Sequence, residues 1–143
     1  MKRFLLVFST VTVFASAPSG CDNDDSRPFE SGTYNYSGYD LEGLKVTEGT
    51  FEIIVDDSVI EGTKNIEIVG NHVGNVTDAG AGLIGGVITE DGNVEIYLLE
   101  AHGPYMLIRG RYHDDKLIGE RFWGISGGAP ETVIGTFLSK RIK

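Results

Sequence analysis

The chain has 143 residues, 41 % of them hydrophobic, with 20 glycines, a single cysteine and a formal net charge of −9. That length supports one hydrophobic core rather than two. The acidic balance disfavours nucleic acid as a partner, and one cysteine excludes an internal disulfide framework.

The first twenty residues divide into three parts. Lys2 and Arg3 give a positive start, Phe4 to Ala15 is mostly apolar, and Ala17, Ser19 and Gly20 are small. This is the plan of a secretory signal, whose apolar core is too short to span a bilayer as a mature helix. Cys21 follows at once. A lone cysteine in an exported chain has no disulfide partner, so it calls for another use. Small residues, then cysteine, directly after a signal core resemble the lipobox of bacterial lipoproteins, although Pro18 stands where an aliphatic residue is usual. The resemblance implies cleavage before Cys21 and acylation of its thiol and new N-terminus, a set of chains that anchors firmly where one would bind marginally. Loss of Lys2 and Arg3 would take the formal charge from −9 to −11.

Residues 21–30 read as an acidic, flexible tether: Asp22, Asp24 and Asp25 are followed by Ser26, Arg27 and Pro28, a composition poor in groups that pack. An acidic run after such a cysteine resembles the surface-export signal of Bacteroidetes-type lipoproteins, and Asp directly after it resembles an inner-membrane retention mark of enterobacteria. Both readings stay open at this point.

Residues 31–143 form the expected folded domain. No sustained helical period occurs there; short alternating apolar runs separated by turn residues recur instead. Eight runs are expected, over 31–39, 44–56, 59–69, 83–90, 93–100, 105–113, 116–124 and 132–142, with the longest connection from Gly70 to Gly82. Asp91-Gly92, Asp57-Ser58 and Asp114-Asp115 are read as two-residue hairpin loops. The first puts Val87 opposite Ile96 and Gly85 opposite Leu98, with Leu83 and Val94 on the same buried face. The second puts Val55 opposite Ile60 and Ile53 opposite Gly62, with Phe51 inward. The third puts Met106 opposite Trp123, Ile108 opposite Arg121 and Tyr112 opposite Leu117, with Arg109 facing Glu120 outside as a cross-strand ion pair. The fold class is therefore all-β: one antiparallel up-and-down barrel of about eight strands after an N-terminal signal helix, with a two-sheet sandwich as the alternative. Gly32-Thr33-Tyr34 and Gly135-Thr136-Phe137 resemble the first and last strands of lipocalin-like and avidin-like barrels. That likeness names an architecture and carries no ligand with it.

Chemistry-bearing motifs are sparse. Gly80 to Gly85 fits GxGxxG in letter, but an apolar strand follows it where a dinucleotide site needs a helix. His72, His102 and His113 lack metal-ligand spacing, and no nucleophile-and-base arrangement is recognisable. No metal, no cofactor and no enzymatic activity are expected. Arg121 is the one residue whose placement raises a question: facing inward beside Trp123, it needs a partner, because an unpaired buried charge is costly. Either a ligand carboxylate or phosphate supplies it, or backbone carbonyls or the Trp face do. Arg121, Trp123, Met106 and Tyr112 are thus the candidate ligand-binding residues. Interior glycines favour space for a ligand, whereas Trp123, Met106 and Phe51 favour a filled lumen. The charge is also uneven: residues 109–143 hold seven bases against four acids, and that end could face an acidic ligand, membrane headgroups or simply solvent.

Together these readings give an expected bacterial envelope lipoprotein, held to a membrane through Cys21, at the outer membrane, periplasmic or surface-exposed. Its expected work is non-enzymatic binding of a small apolar or amphipathic ligand in the barrel. The alternative is an envelope interaction protein, for example a hydrolase inhibitor or assembly factor, that acts through its outer surface on another envelope protein. Ser31-Gly32-Thr33-Tyr34 is similar to the SGxxY-type motif of lysozyme inhibitors but carries Tyr one place early, so no site is assigned to it.

Overall fold

A computed structural model describes residues 28–70, 77–98 and 103–142, together with the backbone of residues 99 and 100. Cys21, the signal segment, His72 and His102 lie outside the described residues.

Eight antiparallel strands follow one another around a closed barrel: β1 (Gly32–Tyr39), β2 (Lys45–Asp56), β3 (Val59–Ile68), β4 (Gly80–Ile88), β5 (Asn93–Glu100), β6 (Pro104–His113), β7 (Lys116–Ile125) and β8 (Thr132–Arg141). Each strand pairs with its sequence neighbour, and β8 pairs back on β1 from Tyr34↔Arg141 to Tyr39↔Thr136. Closure leaves no free edge for another chain to extend. The sandwich alternative is thereby set aside.

Alternation along each strand decides what faces the lumen. Tyr34 and Tyr36 of β1, Phe51 and Ile53 of β2, Ile60 and Ile66 of β3, Ile84 of β4, Val94, Ile96 and Leu98 of β5, Met106 and Ile108 of β6, Leu117 of β7 and Phe137 of β8 are all buried in one cluster. The register places the two barrel ends. One end, called here the tether end, carries the β2–β3, β4–β5 and β6–β7 hairpins and both termini of the described chain. The other, the mouth, carries the remaining connections.

Two of the three expected hairpins hold as read. Val55↔Ile60 and Ile53↔Gly62 pair across Asp57-Ser58. Met106↔Trp123, Ile108↔Arg121 and Tyr112↔Leu117 pair across Asp114-Asp115, both of which adopt positive φ (50° and 61°), as a two-residue type I′ loop demands and as Asp tolerates better than most residues. The third differs. Thr89 and Asn93 close a three-residue loop, with Gly92 alone at positive φ (82°) and hydrogen bonds Thr89 N–H to Asn93 O and Gly92 N–H to Thr89 O. One extra loop residue slips the register by one and exchanges the faces. Gly86↔Ile96 and Ile88↔Val94 pair, so Ile84, Gly86 and Ile88 face inward. Leu83, Gly85 and Val87 face out, and Leu83 is 84 % exposed.

Three further expectations are corrected. β4 begins at Gly80, so the GxGxxG letters lie within a strand rather than a loop. Arg109 does stand opposite Glu120, but its guanidinium bonds Glu95 (2.7 Å) and Glu131 (3.2 Å) and lies 4.8 Å above the Phe122 ring. Phe29, in the segment read as tether, is 6 % exposed and packs on Tyr34 and Tyr112 at ring distances of 5.2 and 5.3 Å. The chain thus joins the barrel before β1 and stoppers its tether end.

Candidate functional site: a carboxylate buried at the mouth

Arg121 points into the lumen from the middle of β7 and is fully buried. Its partner comes from the chain itself. Asp78, on the connection between β3 and β4, reaches down into the barrel and is also 0 % exposed; Arg121 Nη2 donates to Asp78 Oδ1 at 2.9 Å. The second carboxylate oxygen accepts from Tyr36 OH (2.6 Å) and Thr47 Oγ1 (2.7 Å). Arg121 Nη1 donates to the Tyr39 carbonyl at 2.8 Å. Lys64, inward-facing from β3 and buried, donates its ammonium to the Asp78 carbonyl at 2.6 Å and more weakly to that of Ala79. Such charge-assisted, multiply bonded geometry is what a buried ion pair needs to offset its desolvation.

The backbone makes room for this group. A Cβ at Gly38 would stand 2.3 Å from Thr47 Oγ1 and 2.9 Å from Asp78 Oδ2, so no side chain at that position is compatible with the inserted carboxylate. The electrostatics agree with enclosure. Burial, reinforced by the Asp78 carboxylate, pushes the Tyr36 phenol well above its ordinary value and keeps it a neutral donor. Burial pulls the Lys64 ammonium down, against the opposing pull of Asp78.

The four candidate residues do not form one site. Met106 and Trp123 are opposed near the mouth, on the same face as Arg121; Thr77 Oγ1 lies 3.5 Å from Met106 Sδ. Tyr112 is at the other end, in the Phe29–Tyr34 aromatic cluster, with its hydroxyl donating to Asp115 at 3.2 Å. Sequence reasoning missed Asp78, Thr47, Tyr36 and Lys64. Lys64 was within reach, because the register that turns Ile53 and Gly62 inward also puts Lys64 opposite Phe51. Asp78 gave no such signal: it sits in a polar connection where an acid normally stays in water.

Three concave regions lined by described residues lie on the outer wall. One, of about 510 Å³, crosses β1 to β3 and is lined by Asn35, Lys45, Glu48, Thr50, Asn65 and Glu67 among others. A second, of about 490 Å³, sits at the tether end against Asn35, Asp114, Asp115, Lys116, Lys140, Arg141 and Ile142. A third, of about 330 Å³, lies by Leu83 and Tyr97. Among the described residues no group of three or more His, Cys, Asp or Glu side chains is placed to hold a metal ion.

The fold and site define a closed eight-stranded up-and-down barrel whose mouth is occupied by its own carboxylate. Compared with known protein families, curated proteins and solved structures, the chain matches none of them.

Proposed function

We propose that this chain is a lipid-anchored protein of a bacterial envelope, non-enzymatic, whose barrel is a rigid scaffold and whose outer surface engages another envelope component. The observation that carries the reading is the Asp78–Arg121 pair: the position where a ligand acid would meet Arg121 is filled by the chain. Phe29 closes the opposite end, and between them Tyr34, Tyr36, Phe51 and Phe137 take up the lumen. The envelope address rests on Cys21 and the signal-like residues before it.

A second reading, a small apolar or amphipathic ligand, is favoured by one feature, the half-buried Trp123 beside Met106 at the mouth. Native mass spectrometry of the chain purified from its membrane separates the two. The scaffold reading expects the mass of the acylated polypeptide alone, together with capture of an envelope protein by the barrel. A stoichiometric small molecule released at low collision energy would establish the second reading instead.

A further inference from the structure

The tether end carries an unusual row of charge. His113 pairs with Lys116 across the β6–β7 hairpin, and Lys116 pairs with Lys140 across β7–β8. All three face outward and are exposed. Directly opposed side chains on neighbouring strands have Cβ atoms about 5 Å apart, and like charges there are destabilising. Neither lysine has a hydrogen bond or ion pair to any described residue, and nearby acids are committed elsewhere. Glu30 bonds Arg141 at 2.7 Å, Asp114 bonds His113 at 3.2 Å, and Asp115 accepts from Tyr112. Arg111 lies outward one row further along, with the exposed Ile118 opposite it. Ile142, 45 % exposed, borders the same groove beside Lys116 and Lys140. Lys116, Lys140 and Arg111, with Ile118 and Ile142 at the edges and Asp114 and Asp115 at the hairpin tip, make a basic strip on a chain of net charge −9, of the kind that seats on an anionic lipid interface.

The chain's own path points to the same surface. Phe29 fixes the entering segment at this end, and Arg141 ties it down through Glu30 and the Ser31 carbonyl. Six residues lie between Cys21 and Pro28, a reach of at most about 25 Å. An anchor at Cys21 would therefore hold this end of the barrel near the bilayer.

We infer that the outer wall of β6–β8 at the tether end, centred on Lys116 and Lys140, docks on anionic phospholipid headgroups and sets the barrel upright with its mouth away from the membrane. This rests on the anchored reading of Cys21, so the test supplies the anchor independently. The chain from Cys21 onward is coupled through its single thiol to a maleimide lipid, in vesicles of phosphatidylcholine alone or with about 30 % phosphatidylglycerol. Amine acetylation is then followed by mass spectrometry. Lys116 and Lys140 are expected to react roughly fivefold more slowly on the anionic vesicles, and the difference to vanish at about 0.5 M salt. Lys45, at the mouth, is expected to react equally on both. Lys140→Glu, which keeps the fold because it opposes an acid to Lys116, is expected to cut the Lys116 difference to less than about twofold. Equal rates for Lys116 on the two vesicles, or an equal slowing of Lys45, would overturn the docking surface. An unmodified Cys21 in protein isolated from its own membranes would overturn the anchor, a separate result.

Discussion

The two ends of the barrel treat charge in opposite ways. At the mouth, Arg121 and Asp78 are both removed from water and held by several bonds: the carboxylate takes three side-chain donors, and the two terminal guanidinium nitrogens meet a carboxylate and a carbonyl. At the tether end, Lys116 and Lys140 stand opposed in register and exposed, with no ion-pair partner among the described residues. Burial makes pairing compulsory, because a desolvated charge without a partner costs several kcal/mol. Exposure lets a like-charged pair persist at a cost of a few tenths of a kcal/mol. The first arrangement therefore governs stability, whereas the second is free to serve association.

Breaking the buried side should give the largest effect. Asp78→Ala leaves Arg121 charged in the lumen and is expected to destabilise by about 3–5 kcal/mol, read as a lower denaturant midpoint with an unchanged slope. A loss under about 1 kcal/mol would mean that Arg121 escapes to water. Phe29→Ala removes the stopper at the other end and is expected to cost about 3 kcal/mol. A negligible change there would show that the barrel closes without it.

Tyr36→Phe deletes one donor to Asp78 and is expected to cost about 1–2 kcal/mol at neutral pH. It should also reshape the alkaline limb. The phenols of Tyr36 and Tyr34 are raised by burial, so the folded state keeps protons that the unfolded chain releases above about pH 10. Their stabilisation is whole below that pH and lost as pH climbs past it. Lys64 runs the other way: its lowered value means the penalty of burying its charge shrinks as pH rises toward 10.5. The net alkaline loss should be smaller in Tyr36→Phe than in the parent, measured as midpoint against pH; identical alkaline limbs would remove Tyr36 from the account. At the exposed end, Lys140→Glu should raise stability by only about 0.5 kcal/mol. A change several times larger would mean that Lys140 is not the solvated group described.

Much of the barrel is legible in the sequence. The eight alternating runs and their turn residues lie within a few residues of the observed strands, because a half-buried strand writes its face into every second residue. The inward placement of Arg121 followed from the Asp114-Asp115 loop alone. The register failed at one loop: Asp91-Gly92 signals a two-residue turn, yet Thr89 pairs with Asn93, and the slip exposed Leu83 and Val87. Turn composition does not fix loop length when the neighbouring Thr89 and Asn93 side chains also bond Asp91. The partner of Arg121 was illegible for a different reason. No periodicity relates Asp78 to a residue 43 positions away, since nothing short of barrel closure brings them together.

The account stands on the statement that the chain's own carboxylate holds Arg121 in place inside the barrel. A double-mutant cycle over Asp78→Ala and Arg121→Met, read by denaturant unfolding, addresses it. The structure predicts a coupling of about 2–3 kcal/mol, with the double variant more stable than Asp78→Ala alone. Additivity within about 0.5 kcal/mol would contradict it, and would return the lumen of this barrel to an outside ligand.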